Sequence, residues 1–342
     1  MAPKERRALQ AEIESQLDSI AWLGDAEALV GLGGTIRNLA KIEAARQRYP
    51  LNTLHGFRLT RDSVEKSIDL FCRCDLKGRQ ALTGISPDRA DIILAGALVL
   101  AAFLDRLGLD DLTISACGLR EGLFFEHFWQ HLPFPVIPDV RRFSVLNIAR
   151  NYDYQKQHAN HVRYLAGRLF DQLVPLHGYG AGEREMLDAA ALLHDLGTVI
   201  AYDGHHKHSQ TLIHYNGLAG FSPREIALIG LLARYHRKGS PDISTYEALL
   251  DAEDLAILTR LAAILRLAEN LERGRNGVVD DVIVNWGEDY LRRTLIADEY
   301  PAVELWETER NALPLVEKAF ERRALVDSIA APGEWPQHGS PR

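Results

Sequence analysis

Nine of the chain's thirteen histidines fall between His158 and His236, while residues 1–126 hold one, His55. This segregation divides the chain into two chemically different territories. The stretch between them, HLPFPVIPDVRRFSV, carries Pro133, Pro135 and Pro138 and reads as an extended connection, since each proline fixes its φ and lacks a backbone donor. The pattern predicts a boundary near Pro138, with segments 1–137, 138–276 and 277–330 and a frayed tail at 331–342. A chain of 342 residues that is 46% hydrophobic has ample material for two cores and is not wholly disordered.

Charge and apolar runs narrow the function classes. The 39 Lys+Arg against 47 Asp+Glu leave a net charge of −8, which argues against a broad grip on nucleic acid. The longest apolar run, Ile92 to Leu104, is far short of the roughly 20 residues that span a bilayer, so no membrane partner is expected. MAPKERRALQAEIESQ at the start is too charged for a signal peptide. Three cysteines (Cys72, Cys74, Cys117) are too few for a disulfide framework and point to a reducing, cytoplasmic setting.

The first territory alternates strand-like and helix-like segments. EALVGLGG precedes the helical TIRNLAKIEAARQRY, and HGFRLT precedes DSVEKSIDLFCRC. SPDRADIILAGALVLAAFLDRLG predicts a buried helix with Ser86 as N-cap and Pro87 in its first turn, packed against a sheet. DDLTISAC then leads through Gly118 into LREGLFFEHFW, so strand–glycine–helix occurs twice in an α/β arrangement. At Gly31 to Thr35 and at Cys117 to Gly122 a helix N-terminus can face a phosphate, with Thr35, Arg37, Lys41 and Arg120 nearby. The plain alternative is a tight turn, because neither spacing matches a P-loop or a dinucleotide fingerprint.

GLGGTIRNLAKI, SPDRADIILAGALVL and SACGLREGLFFE, in that order, resemble the second lobe of the Ppx/GppA phosphatases over about residues 10–128. The resemblance implies an actin-like (ribonuclease H-like) α/β half-lobe, with Gly33, Gly34, Thr35, Arg37, Gly118 and Arg120 lining a phosphate cleft. Arg89 matches a recurring arginine with no assignable role. The family's D-[IL]-G-[ST]-N-S and D-[IL]-G-G-G-S loops and its water-activating glutamate have no match in residues 1–30 or later, so no catalytic residue is assigned. Phosphoryl transfer to water needs the anion placed, its charge neutralised and the water oriented, and this lobe supplies part of the first. The chain is therefore expected to be a lobe-deleted relative or the product of an internal start, and to hydrolyse polyphosphate poorly.

The second territory reads as all-α. In QKQHANHVRYLAGRLFDQLV, His158, Val162, Leu165, Leu169 and Val174 are read as one helical face. In REMLDAAALLHDLG, His194 follows Leu187 and Ala190, with Asp195 adjacent; Glu269 follows Leu258, Leu261 and Leu265. H-x-x-x-V and L-L-H-D-L-G resemble the metal-binding motifs of HD-domain phosphohydrolases, which implies His158, His194, Asp195 and Glu269 as ligands of a divalent metal. Glu269 stands where that family has aspartate and is one methylene longer. His205, His206 and His208 and the run Arg234 to Lys238 are further ligands or phosphate contacts, or else a solvated loop and basic face. The alternative is structural: inward histidines satisfying buried carbonyls in an HD-like fold that holds no metal.

After Gly277, VVDDVIVNW and DYLRRTLIA read as a β-hairpin, AVELWETERNALPLVEKAFERR as an amphipathic helix with Trp306 and Phe320 inward, and RALVDSIA as a last strand, a small α+β appendix. The resemblance implies hydrolysis of a terminal phosphate from polyphosphate or guanosine pentaphosphate with a divalent cation, magnesium for that reaction, and a homodimer. The alternatives are a metal-dependent phosphohydrolase in the HD-like part acting on a nucleotide, and a non-enzymatic polyphosphate- or nucleotide-binding module.

Overall fold

A computed structural model describes residues 3–331. The chain divides into two compact units, Met1–Pro138 and Asp139–Arg342, each treated by itself. Residues 332–342, most of the expected frayed tail, lie outside the described residues.

The first unit is α/β. Its elements are α1 (Pro3–Asp18), β1 (Val30–Gly31), α2 (Gly34–Arg46), β2 (Arg58–Thr60), α3 (Arg61–Arg73), α4 (Leu76–Gln80), α5 (Ile93–Leu107), β3 (Asp111–Ile114) and α6 (Leu119–Phe128). The sheet runs β1-β3-β2, with β1 parallel and β2 antiparallel to β3. α3 forms because Thr60 caps it, accepting from Ser63 N, and because Val64, Ile68 and Phe71 recur at helical spacing and are buried. They share one core with Leu59, Leu112 and Ile114 of the sheet and Ile93, Leu94, Ala97 and Leu104 of α5. α5 starts later than its sequence predicts: Pro87–Arg89 form a separate 3-10 turn, Ser86 makes no side-chain cap, and the long helix begins at Ile93.

The second unit opens with six longer helices: α7 (Val140–Asn151), α8 (Lys156–His177), α9 (Ala181–Leu193), α10 (His205–Asn216), α11 (Pro223–Tyr235) and α12 (Ala252–Leu271). Ser222 and Glu225 close a capping box on α11, with Pro223 at its first position, and Asp251 caps α12. Then follow β4 (Asp281–Trp286), β5 (Tyr290–Ile296), α13 (Ala302–Glu307), a π-helical turn (Thr308–Ala312), α14 (Leu313–Phe320) and β6 (Arg323–Ser328). β4 and β5 form the expected hairpin and β6 adds in parallel to β5. Two inward positions are corrected. Val174 is 40% exposed and Leu173 is buried instead, because Val174 lies about 160° round α8 from His158 at roughly 100° per residue. Trp306 is 55% exposed while Phe320 is buried, since the π-turn changes the helical phase between them. Among the described residues no helix is long and apolar enough to cross a membrane.

Candidate metal centre

In the first unit the two glycine turns follow neighbouring parallel strands, since Val30 pairs with Thr113 and Gly31 with Ile114. Such adjacent carboxyl ends are where open α/β sheets present loops to ligands. Gly33 caps α2 at φ +95, and a Cβ on Gly34 would strike the Arg89 guanidinium, 2.4 Å from its Cζ. Arg89 thus packs beneath the turn, which gives that arginine a structural reason. Gly96 likewise leaves room for the Thr35 methyl. Arg37 folds back, its Nε donating to Gly33 O at 3.3 Å. Gly118 N donates to Glu121 Oε2 at 2.8 Å. Hydrogen bonds from the Glu121 and Gly118 amides hold the Glu121 carboxyl below its usual range, with Arg120 and Arg37 adding to the effect. The turns and their cations therefore share one neighbourhood. A cavity of about 400 Å³ beside the first turn has mostly apolar walls, among them Leu29, Val99, Leu100 and Phe103, and neither Arg37 nor Arg120 lines it.

The second unit gathers more chemistry. α8 supplies His158, the end of α9 His194 and Asp195, α10 His205, the end of α11 His236, and α12 Glu269. Their side chains are buried, His194 and His236 almost completely, except that Asp195 keeps 11% of its side chain exposed. Glu269 Oε2 lies 3.1 Å from both His158 Nε2 and His194 Nε2, which are themselves 3.3 Å apart. Asp195 reaches the other way: Oδ1 is 3.2 Å from His205 Nε2 and 3.7 Å from His236 Nε2, with those two nitrogens 3.3 Å apart. It also approaches His194 at 3.7 Å and His158 at 3.9 Å. Two sets of donor atoms, His158–His194–Glu269 and His194–Asp195–His236, each fall within 4.8 Å of one another.

The donor set fits a cation. His194, His205 and His236 each place Nδ1 against the carbonyl three residues back, Ala191 at 2.7 Å, Tyr202 at 2.8 Å and Ala233 at 2.7 Å. A carbonyl can only accept, so Nδ1 carries a proton and the inward Nε2 is the ligating atom of the neutral ring, where on His194 a cation competes with a second proton. Glu269 Oε2 and Asp195 Oδ1 are buried without a hydrogen-bond donor. Burial alone would lower the His194 imidazole, yet Asp195 and Glu269 outweigh it and hold it up at about 9. Burial, with His194 beside it, pushes His236 down to about 3. Both carboxyls stay well below their usual range against the effect of burial. The pocket therefore draws positive charge to its centre. Arg275 supplies some of it, donating to Asp195 Oδ2 at 2.5 Å and to Gln155, from a backbone φ of +55.

All four residues singled out as ligands thus come together. His206 and His208 stay outside the cluster, and His206 is pushed down to about 4, chiefly by burial. His236 lies inside R-Y-H-R-K, a run left open between further ligands or phosphate contacts and a basic face; the signal that separates it is its spacing of four from Leu232 and seven from Ile229, both buried. Arg275 carried no periodic signal, because it lies beyond the end of α12.

The chain matches the models for the Ppx/GppA phosphatase family over residues 2–131 and for Ppx/GppA phosphatase, domain III, over residues 140–294. It is 26% identical over 294 residues to a guanosine-5'-triphosphate,3'-diphosphate pyrophosphatase of Aeromonas hydrophila, covering 84% of this chain and 55% of that protein. The protein of the same name from Aeromonas salmonicida is 26% identical over 293 residues, covering 84% and 56%. The chain thus spans about half the length of the curated relatives it matches. The crystal structure of the Aquifex aeolicus Ppx/GppA family member is 27% identical over 38% of this chain and 42% of that one, with a TM-score of 0.34. Matched by that family's models in both of its units and related to these pyrophosphatases over most of its length, the chain belongs to the Ppx/GppA phosphatase family.

Proposed function

We propose that this chain is a metal-dependent phosphohydrolase whose working centre lies in the second unit, at His158, His194, Asp195 and Glu269, with His205 and His236 as added donors. The observation that carries this reading is the gathering of inward Nε2 atoms and two carboxylates into two donor sets that share His194. A bound divalent cation would supply Lewis-acid stabilisation of phosphoryl charge and a water acidified toward neutral pH. Imidazoles suit iron or zinc and carboxylates suit manganese, so one of these three suits this mixed donor set. The residues' own part is positional. The carbonyls of Ala191, Tyr202 and Ala233 fix the imidazole tautomers, and Arg275 steadies Asp195. The substrate is a phosphate ester or anhydride; the relatives' names point to a guanosine polyphosphate, and the wider family resemblance adds polyphosphate.

A second reading keeps the reaction at the glycine turns of the first unit, supported by their side-by-side placement at the ends of β1 and β3. Phosphate release from tripolyphosphate and guanosine pentaphosphate by the purified chain with Mn²⁺ separates the two. We expect release that EDTA abolishes and His194→Gln abolishes, while Gly34→Asp leaves it intact. Loss in Gly34→Asp with no effect of His194→Gln would favour the first unit. Anion-dependent thermal stabilisation without turnover would indicate a binding module.

A further inference from the structure

Against Glu269 lies a cavity of about 320 Å³, near the lower end of small-molecule pockets. Arg237 and Lys238 line it directly after His236, and Arg273 lines it one helical turn after Glu269. The cationic wall is thus tied by the chain itself to two members of the histidine–carboxylate cluster. Among the described residues no carboxylate pairs with Arg237 or Lys238; the Arg237 guanidinium lies over the Tyr202 ring, 5.7 Å from its centroid. Arg273 is only loosely held, 3.8 Å from Glu269 Oε1 and 3.8 Å from Glu307 Oε2. Asn311 donates to Glu307 Oε2 at 2.7 Å, drawing on that carboxylate instead. Glu269 is spent on the other side, its Oε2 on His158 and His194. Three cations therefore face the cavity against two carboxylates that also line it, Glu269 and Glu307, each engaged with another partner, and the buried Asn270 lies among them.

We propose that this cavity is a phosphate subsite, taking a non-reacting phosphate of an oligophosphate chain while the neighbouring phosphate meets the histidine–carboxylate cluster across Glu269. The proposal rests on the second-unit reading given above. Guanidinium groups select phosphate by paired, charge-assisted hydrogen bonds, and Lys238 adds a point charge. The volume exceeds that of a single phosphate, which suits a chain of phosphates with or without a nucleoside.

Calorimetric titration of the full chain tests this. Tripolyphosphate and GTP are titrated in Mn²⁺ and again in EDTA, and Mn²⁺ alone is titrated separately, for wild type, Arg273→Gln and the double variant Arg237→Gln/Lys238→Gln. We expect the tripolyphosphate Kd to rise tenfold or more in both variants while the Mn²⁺ Kd stays within threefold. Unchanged tripolyphosphate affinity in both variants, with Mn²⁺ binding intact, overturns the subsite. If wild type binds no Mn²⁺, the metal reading fails by itself, and the EDTA titrations decide the subsite on the same tenfold criterion. Should one variant fail to fold, by far-ultraviolet circular dichroism, the other decides. GTP binding tenfold tighter than tripolyphosphate marks the source as a nucleotide, and equal affinity marks the bare chain; in either case the variants must lose it.

Discussion

Glu269 shows how one methylene sets the reach of a buried acid. Its Oε2 touches both His158 Nε2 and His194 Nε2 at 3.1 Å from a helix whose backbone cannot come closer without displacing Leu265 and Ala268 from the core. Aspartate at this position would withdraw the oxygen by about 1.5 Å, the length of one carbon–carbon bond. Glu269→Asp should therefore weaken Mn²⁺ binding about tenfold or more, and Glu269→Gln, which keeps the length but not the charge, should weaken it as well. Calorimetric Kd values check this. An Asp variant that binds as tightly as wild type would show that Glu269 is not a ligand. The residue itself stood out in the sequence because it continues the buried spacing of Leu258, Leu261 and Leu265, but its reach depends on the helix separation, which no spacing encodes.

At the scale of elements, periodic segments were legible and phase changes were not. α8, α9 and α12 follow from apolar spacing, and β4–β5 from alternation. The π-turn that exposes Trp306 and the delayed start of α5 arise from tertiary packing, which single-sequence patterns do not carry. Gly197, the last residue of L-L-H-D-L-G, was readable as part of a motif but not as a contact. A Cβ there would sit 2.1 Å from His205 O and 2.6 Å from Ser209 N, while Gly197 N donates to Ser209 Oγ at 2.8 Å. The glycine lets α10 lie directly against the turn after Asp195 and so brings His205 to Asp195. Gly197→Ala forces backbone against Cβ and should cost about 3 kcal/mol. Thermal denaturation and Mn²⁺ titration should both register it, since the same displacement moves His205 off Asp195. A variant with wild-type melting and wild-type affinity would contradict this packing argument.

Across the whole molecule, several groups make folding favour higher pH. Glu225, raised by burial but outweighed by hydrogen bonds from Ser222 and Arg141, and Asp281, raised by burial but held down by Arg168, both sit below the usual carboxylate range. Their contributions are present above the unfolded pKa and fade as pH falls through the folded one. His214 acts earlier on the same descent. Burial between α10 and α11 pushes its imidazole down to about 4, with the hydrogen bond to Ala227 O only partly opposing. Tyr246 O–H meets Nδ1 at 3.2 Å, and Gly230 leaves room for the ring, so the neutral form is fully accommodated. The unfolded chain binds this proton near pH 6.5 and the folded chain only near 4, so stability is level above about 6.5 and declines between these values. The full decline is on the order of 3 kcal/mol at one site. Urea unfolding of wild type and His214→Gln at pH 7, 5.5 and 4.5, both in EDTA, isolates it, because the histidine–carboxylate cluster is common to the two proteins. The variant costs stability at pH 7 through its lost packing, but its loss toward pH 4.5 should be shallower than that of wild type. Parallel curves across this range would mean that His214 titrates equally in the folded and unfolded chains, and the acid sensitivity would then belong to the carboxylates and the other buried histidines.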